Sequence, residues 1–297
     1  MAGNMSKTIA FLGTGLMGHP MAKCLLADGH IVRAWNRTFE KAKSLEAHGA
    51  SSFETAKEAI RGADFIITSL PDGHIVEDIL FGDNLADAIT KGSVLIDTSS
   101  IEPGRARDHA KRLKEKNIQY LDAPVSGGTK GAEAGTLAIM VGGEAQVFEA
   151  SRDVLAPMGQ PVLVGANGAG QLAKLANQAI VAIAIGAVSE ATLLMKTGGA
   201  DLTAFRAALK GGFADSTILQ QHGKRMADGD FEPGGRSKLQ LKDLKNVLEE
   251  AKLLNIKLPI VEEIAKRYER MIANHNGADL DHSALFLDLL DINNQVT

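Results

Sequence analysis

The stretch Thr8-Ile-Ala-Phe-Leu-Gly-Thr-Gly-Leu-Met-Gly18 decides how the first part of this chain folds. Residues 8–12 form an apolar run with the length of a buried strand, and the residues after Gly18 follow a helical pattern. Between them lies the spacing G-x-G-x-x-G. A glycine-rich turn between a strand and a helix offers bare backbone N–H groups and the positive end of the helix dipole to a pyrophosphate. We therefore predict a dinucleotide-binding unit at the start of the chain.

Each glycine of this turn is predicted to have its own task. Gly13 allows the tight turn, Gly15 lets a pyrophosphate approach the backbone, and Gly18 lets the helix pack closely on the strand. The other residues of the turn are expected to line the cofactor as well. The predicted binding set is Gly13, Thr14, Gly15, Leu16, Met17 and Gly18.

The end of the second predicted strand, residues 30–35, indicates which dinucleotide binds. An acidic residue at this point would bind the ribose hydroxyls of NAD, but the chain has Asn36, Arg37 and Thr38 there. A guanidinium and a hydroxyl can hold the 2′-phosphate of NADP, which a carboxylate would repel. The alternative interpretation of Arg37 is an exposed arginine in a loop. We predict NADP as the cofactor, bound by these three residues, with NAD as the alternative.

Strands and helices alternate as far as residue 166. Further strands are predicted at residues 64–69, 93–97, 119–122 and 161–164, with a hairpin-like segment at 136–143. This alternation predicts an α/β domain with a doubly wound parallel sheet of the Rossmann type, in which ligands gather beyond the carboxyl ends of the strands.

Three residues after the ends of two of these strands are predicted to line the nicotinamide half of the cofactor. They are Leu70, Pro71 and Ser100. Pro71 could instead start a helix, and Ser100 could instead cap one. A second glycine segment, residues 126–128, follows the strand at 119–122. Its hydroxyl and backbone N–H groups suit a carboxylate, although an ordinary turn is the simpler interpretation of the segment alone.

From Gln171 onward the pattern is helical, and its longest helix opens with residues 170–178. Lys174, Asn177 and Gln178 lie at i, i+3 and i+4, so a helix places them on one face. A cation and two amides on an otherwise apolar helix need water or a ligand, because burying them unpaired is costly. A hydrated helix end is the alternative. We predict a sheet domain at residues 1–166, followed by an all-α domain at 167–297 that begins with a long connecting helix.

Composition excludes several classes of protein. The 297 residues suffice for two domains, and a net charge of −4 gives no electrostatic reason to expect nucleic acid or an anionic membrane as partner. One cysteine and no Cys/His cluster predict neither a disulfide nor a metal site. Residues 1–7 lack the features of a signal peptide, and the apolar run at 179–188 is too short to span a bilayer. We therefore expect a cytoplasmic protein.

Four motifs stand in one order along the chain, from residue 11 to residue 244. They are Phe11-Leu-Gly-Thr-Gly-Leu-Met-Gly18, Asp122-Ala-Pro-Val-Ser-Gly-Gly128, Gly170-x3-Lys174-x2-Asn177 and Lys242-Asp243-Leu244. Together they resemble the β-hydroxyacid dehydrogenase family, over nearly the whole chain. The resemblance implies that Lys174 is catalytic, that Ser126, Gly127, Gly128 and Asn177 bind substrate, and that Lys242 closes over the cofactor.

Within that family the chain is most similar to the tartronate semialdehyde (2-hydroxy-3-oxopropionate) reductases. The segments that carry this likeness are residues 174–178, 211–216, 231–236 and 281–284. The likeness adds Gln178 to the substrate-binding set, and Arg236 is a further candidate contact to a polar or acidic group of the substrate. Gly235 departs from the subgroup, which usually has a bulky aromatic residue there; this would enlarge the pocket or loosen the loop.

The chemistry of Lys174 supports this assignment independently. Reduction of an aldehyde needs a hydride and a proton, and an ammonium group can donate the proton and stabilise the developing alkoxide. Burial and Lys242 nearby would lower the pKa of Lys174. The expected activity is NADPH-dependent reduction of tartronate semialdehyde to glycerate by a homodimer or homotetramer.

Other interpretations stay open. The alternative substrates are 3-hydroxyisobutyrate, succinic semialdehyde, glyoxylate and sulfolactaldehyde. A non-catalytic NADPH-binding module is a remote alternative, which Lys174 argues against. A decarboxylating phosphogluconate dehydrogenase is disfavoured because its helical domain is much larger.

Overall fold

The computed structural model describes residues 6–295. The chain forms two compact units, Met1–Lys174 and Leu175–Thr297. The domain boundary that we place after residue 166 remains a prediction.

The first unit is built on one sheet, which has nine strands within the described residues. They are β1 Thr8–Leu12, β2 Ile31–Trp35, β3 Ser51–Phe53, β4 Phe65–Thr68, β5 Val94–Asp97, β6 Gln119–Asp122, β7 Val125–Ser126, β8 Leu137–Gly142 and β9 Gly159–Gly165. The strand order is β3-β2-β1-β4-β5-β6-β8-β7, and β9 pairs with β8. The order reverses between β1 and β4, which is where open α/β sheets bind their ligands.

Seven helices accompany this sheet in the described part of the first unit. They are α1 Gly18–Ala27, α2 Phe39–Lys43, α3 Ala56–Ala59, α4 Gly73–Glu77, α5 Pro103–Glu115, α6 Gly128–Ala134 and α7 Ala145–Leu155. Short 3₁₀ turns and one π-helical turn, Asp78–Gly82, complete the connections. The α/β alternation predicted from the sequence is confirmed.

The sheet is apolar on both faces because helices cover both. Ile9 and Phe11 of β1 lie in the hydrophobic cluster that includes Met21 of α1. Their neighbours Ala10 and Leu12 lie in the cluster on the opposite face. Alternate residues of a strand point to opposite faces, so a strand buried on both reads as a continuous apolar run. This is why residues 8–12 were recognisable from sequence.

The second unit is helical. Helix α8, Ala169–Thr197, begins in the first unit and continues into the second. It is followed by α9 Leu202–Leu209, α10 Thr217–Asp228, α11 Ser237–Leu253, α12 Pro259–His275 and α13 Leu285–Ile292. Tyr268, Leu244 and Leu285 are fully buried in the core of this unit. The helical pattern predicted from Gln171 onward is present, and the fold class is confirmed.

Helix α8 contains the apolar run at residues 179–188 and is longer than that run at both ends. By length and composition alone, it is the one helix among residues 6–295 that could cross a membrane, with a mean hydropathy of 1.8 over its most apolar 18 residues. Core helices of water-soluble proteins meet the same criterion, and 39% of that stretch is buried within the structure.

Three local expectations need correction. Strand β3, Ser51–Phe53, is not among the strands predicted from the sequence. The sheet is not wholly parallel, because β8 runs antiparallel to β6 and β7. The predicted loop at residues 126–128 is a junction in which β7 ends at Ser126 and α6 begins at Gly128.

Candidate active site

The glycine turn after β1 has the shape that a dinucleotide requires. Gly13 has φ +103°, and its N–H donates to the Trp35 carbonyl at 2.8 Å. A Cβ on Gly18 would stand 1.9 Å from the Gly13 carbonyl oxygen, so only glycine allows α1 to start this close to the turn. The exposed Leu16 and half-buried Met17 complete the turn before the helix. These features fit a pyrophosphate at the N-terminus of α1.

The segment after β2 is tied to this turn. The Thr14 N–H donates to Asn36 Oδ1 at 3.1 Å, and Asn36 Nδ2 donates to the Thr38 carbonyl at 3.0 Å. Arg37 and Thr38 are exposed at the same edge. The structure therefore brings together the residues predicted to bind the adenosine half of the cofactor, with Asn36 joining the two segments.

The residues predicted for the nicotinamide half also lie near the turn. A Cβ on Gly13 would meet Leu70 Cδ2 at 3.0 Å, which places the Leu70 side chain against the turn. The Leu70 N–H donates to Ser99 Oγ at 2.9 Å. Because β4 and β5 are parallel neighbours, this hydrogen bond joins the segments after their carboxyl ends, including exposed Pro71 and half-buried Ser100.

The buried carboxyl group of Asp97 is hydrogen-bonded to the end of β4 and to the segment that follows β5. Asp97, the last residue of β5, is fully buried; its Oδ1 accepts hydrogen bonds from Thr68 Oγ1 at 2.7 Å and from the Ser99 N–H at 3.0 Å. Tyr120 Oη donates to Asp97 Oδ2 at 3.5 Å. Burial raises the pKa of Asp97 to about 6, although the hydrogen bonds from Ser99 and Thr68 act against this rise.

The three polar residues predicted on one helix face all lie in α8 and are half-buried. Asn177 Nδ2 donates to Gln178 Oε1 at 2.9 Å, and Gln178 Nε2 donates to Asp243 Oδ2 at 2.7 Å. Asp243 Oδ1 lies 3.3 Å from the Lys242 Nζ. Helices α8 and α11 are therefore linked through Asp243, a residue to which sequence reasoning gave no role. Its position in the Lys-Asp-Leu motif was the available signal.

Arg236 and Gly235 belong to a different network of the second unit. Asp281 Oδ2 accepts hydrogen bonds from the N–H groups of Gly234 and Gly235, at 3.1 and 2.9 Å. The Arg236 guanidinium is about half exposed and lies 3.3 Å from Asp279 Oδ1. These bonds connect residues 234–236 to Asp281 and Asp279. A Cβ on Gly235 would meet the His282 ring at 3.2 Å.

His222, Asp281 and His282 bring potential metal-ligand atoms within 4.8 Å of one another. The Asp281 carboxylate already accepts from backbone N–H groups on one oxygen and from Ser283 on the other, and Arg225 Nη1 lies 3.3 Å from it. Burial alone would raise its pKa, but hydrogen bonds from His222, from Ser283 and from the Gly235 N–H hold the pKa of Asp281 well below its usual value. Burial lowers the pKa of His282 to about 4. We interpret the cluster as an anchor for residues 234–236.

The chain matches two family models in succession. Residues 8–168 match the NAD binding domain of 6-phosphogluconate dehydrogenase. Residues 168–288 match the domain described as NAD-binding of NADP-dependent 3-hydroxyisobutyrate dehydrogenase. Together the two models cover both units.

Individual proteins are similar to this chain over nearly its whole length. The chain is 44% identical over 279 residues to 2-hydroxy-3-oxopropionate reductase of Escherichia coli strain K12, covering 93% of this chain and 95% of that protein. It is 36% identical over 286 residues to a probable 3-hydroxyisobutyrate dehydrogenase of Mycobacterium bovis, covering 94% and 96%. A solved structure of Mycobacterium tuberculosis 3-hydroxyisobutyrate dehydrogenase with L-serine superposes with a TM-score of 0.87 at 34% identity, covering 96% and 99%.

Proposed function

The chain belongs to the β-hydroxyacid dehydrogenase family and is an NAD(P)-dependent oxidoreductase, and on that basis we propose that it reduces tartronate semialdehyde to glycerate with NADPH. The observation that carries the proposal is the polar face of α8, where Lys174 precedes Asn177 and Gln178 by one helical turn. The identity of 44% to 2-hydroxy-3-oxopropionate reductase of Escherichia coli favours this substrate among those of the family.

The proposed reaction adds two hydrogens to the aldehyde. NADPH, when bound, supplies a hydride to the aldehyde carbon. The C=O π electrons move to the oxygen, and the Lys174 ammonium donates a proton to that oxygen, so the products are glycerate, NADP⁺ and a neutral lysine that solvent reprotonates. A positioned ammonium also stabilises the negative charge that develops on the oxygen, which is the larger part of its effect.

The remaining residues have proposed roles in binding. Ser126 ends β7, Gly127 precedes α6 and Gly128 begins it, and both glycines are exposed. This junction suits the substrate carboxylate, because its hydroxyl and N–H groups are hydrogen-bond donors. Asn177 and Gln178 would hold the hydroxyl next to the aldehyde.

Cofactor contacts come from other parts of the chain. Arg37 and Thr38 are proposed to hold the 2′-phosphate, since both are exposed beside the glycine turn. Lys242 would contact the cofactor from α11, with Asp243 keeping its ammonium in place. Arg236 remains a proposed substrate contact, and its ion pair with Asp279 would have to open for that contact.

The proposed oligomer is a homodimer or homotetramer, located in the cytoplasm. Helix α8 supports this assembly, because Ile180 and Leu194 are 67% and 74% exposed on a helix that otherwise contributes to the core of the second unit. Single exposed apolar residues are common, so the support comes from the whole apolar stretch of α8, of which only 39% is buried within the structure. Light scattering after size exclusion would measure the mass of the assembly, and a monomer would contradict this part of the proposal.

A substrate screen tests the function. We would measure kcat/KM for tartronate semialdehyde, succinic semialdehyde, glyoxylate and sulfolactaldehyde with NADPH and with NADH, and for 3-hydroxyisobutyrate in the oxidative direction. The proposal expects the highest value for tartronate semialdehyde with NADPH. A higher value for another acid would reassign the substrate within the family, and absence of turnover with all of them would contradict a catalytic role.

A further inference from the structure

The start of α8 is held by the end of strand β6. Asp122 is fully buried; its Oδ1 accepts a hydrogen bond from the Gly168 N–H at 2.8 Å and its Oδ2 accepts one from the Gln171 N–H at 3.0 Å. The first N–H groups of a helix have no partner within the helix, and a carboxylate there also complements the helix dipole. Asp122 therefore fixes both the position and the rotation of the first turn of α8.

Gln171 makes a second connection from the same turn. Its side chain is buried; Oε1 accepts from the Ile101 N–H at 3.0 Å and Nε2 donates to the Ser99 carbonyl at 2.8 Å. Both ends of the side-chain amide are thus used by the segment that follows β5. The Gln171 backbone is therefore bonded to the end of β6, and its side chain is bonded to the segment after the neighbouring strand β5.

The backbone of the sheet packs closely against this turn. A Cβ on Gly170 would stand 2.4 Å from the Met140 carbonyl oxygen and 2.5 Å from that of Asp122. The first turn of α8 therefore lies directly on the backbone of β6 and β8. A helix start held by a buried carboxylate, a buried amide and backbone contact has one position available to it.

The residues bonded to Asp122 and Gln171 are close in sequence to residues with proposed roles in the reaction. Ser100 lies between the two partners of Gln171, Ser126 follows Asp122 by four residues, and Lys174 follows Gln171 by one helical turn. We propose that Asp122 and Gln171 are positioning residues that set the Lys174 ammonium relative to the nicotinamide segment and the substrate segment. This inference rests on the proposed role of Lys174 as proton donor.

The physical reason is the narrow tolerance of proton transfer. A general acid must lie within hydrogen-bond reach of the oxygen that it protonates. A displacement of about 1 Å, caused by a change away from the reacting atoms, can cost on the order of a hundredfold in rate. Loss of the Gln171 side-chain contacts would leave the Ser99 carbonyl and the Ile101 N–H unpaired. The helix start would then be held by Asp122 and the backbone packing alone, which permits a small displacement.

The test replaces Gln171 by methionine, which keeps the length and volume of the side chain and removes its hydrogen bonds. Gln171→Met should lower kcat by on the order of tenfold to a hundredfold, with a KM for NADPH close to that of the wild type. The matched control is Ser93→Ala. It removes a buried hydrogen bond, from Ser93 Oγ to the Ala63 carbonyl at 2.9 Å, and Ser93 directly precedes β5, at the end of the strand away from the site. The control should lose stability but keep kcat. Equal kcat values for wild type, Gln171→Met and Ser93→Ala would overturn the inference.

A double-mutant cycle shows whether Gln171 acts through Lys174. If it does, adding Gln171→Met to Lys174→Ala causes no further loss in the residual kcat, because the group being positioned is already gone. Independent, multiplying losses would overturn the inference. Asp122→Asn, which removes one of the two acceptors, should also lower kcat in any protein that folds.

Failure of the inference and of the proposed function can be told apart. If Lys174→Ala abolishes turnover but Gln171→Met does not reduce it, only the positioning role fails. If the wild type turns over an acid and Lys174→Ala keeps its kcat, the proposed proton donor is wrong and the positioning role falls with it. A wild type without turnover would overturn both.

Discussion

The single side chain on which the proposed chemistry depends is Lys174. Lys174→Ala should lower kcat by on the order of a hundredfold or more, because it removes the general acid. NADPH affinity, measured by fluorescence titration, should hardly change. Lys196→Ala is the matched control, since Lys196 is exposed in the last turn of the same helix. If Lys174→Ala retained most of the wild-type kcat, another group would have to donate the proton.

Arg37 tests the choice between the two cofactors at the same scale. Arg37→Ala should raise the KM for NADPH and leave the KM for NADH almost unchanged, because only NADPH carries the 2′-phosphate. Loss of one charge-assisted hydrogen bond should cost about 1.5–3 kcal/mol. Arg61→Ala, which removes an exposed arginine elsewhere in the first unit, serves as the control. A wild type that already prefers NADH would contradict our interpretation of residues 36–38.

The role of a single residue could be predicted where the residues that share that role are close together in the sequence. The glycine spacing and the i, i+3, i+4 spacing in α8 could both be read from neighbouring residues. Gln171 could not, because its partner Ser99 lies 72 positions away in the chain. Asp122 belonged to a quoted motif, yet its role depends on a helix that begins 47 residues later. Such roles become visible only when the fold brings distant segments together.

At the scale of the strand–turn–helix element, two glycines of one motif have separable roles. Gly18→Ala should destabilise the first unit by about 1–3 kcal/mol or more, because the added methyl group would overlap the Gly13 carbonyl. Gly15→Ala should fold normally, since among residues 6–295 no atom beyond its chain neighbours lies within 4 Å of that Cβ position. Its expected effect is on the cofactor, with a KM for NADPH higher by on the order of tenfold.

Thermal unfolding and steady-state kinetics of both variants complete this comparison. Each variant is the control for the other, because both add one methyl group to the same turn. An unstable Gly15→Ala, or a stable Gly18→Ala that binds NADPH normally, would show that our assignment of the two roles is wrong.

The elements that could be predicted were those with a strong apolar pattern. Strand β1 and the second-unit helices follow clear periodicities and were found. Strand β3 was missed because Ser51-Ser52-Phe53 is short and two-thirds polar. Strand β7 has only two residues, Val125 and Ser126, and exists through its pairing with β8. Pairing with a distant strand leaves no periodic signal in the sequence.

The buried carboxyl group of Asp97 makes the stability of the first unit depend on pH. Its folded-state pKa of about 6 lies above its ordinary value of 3.8. Between these values the folded state binds more protons than the unfolded state, so the stabilisation is full below pH 3.8 and is lost as the pH rises through about 6. Asp97→Asn keeps the shape and cannot ionise. Relative to wild type, it should gain about 1 kcal/mol on going from about pH 5 to about pH 8.

Trp35 offers a direct measurement of this effect. It is the single tryptophan of the chain and lies in β2, so urea unfolding followed by its fluorescence reports on the first unit. Asp83→Asn, which removes an exposed carboxylate of the same unit, should follow the wild type at both pH values. A difference between Asp97→Asn and wild type that stays the same at both pH values would contradict the raised pKa of Asp97.

The hydrogen bonds at the start of α8 also determine where this molecule can be cut. A fragment that ended at residue 166 would lack Gly168 and Gln171, and would leave the Asp122 carboxylate buried without those donors. A fragment that extended beyond Lys174 would retain them. A gene fragment for the cofactor-binding unit alone should therefore encode the first turns of α8 as well, although most of that helix lies in the second unit. Natural or engineered chimaeras that exchange the helical half with a relative should join the two parents inside α8, after Lys174, rather than in the loop that precedes it.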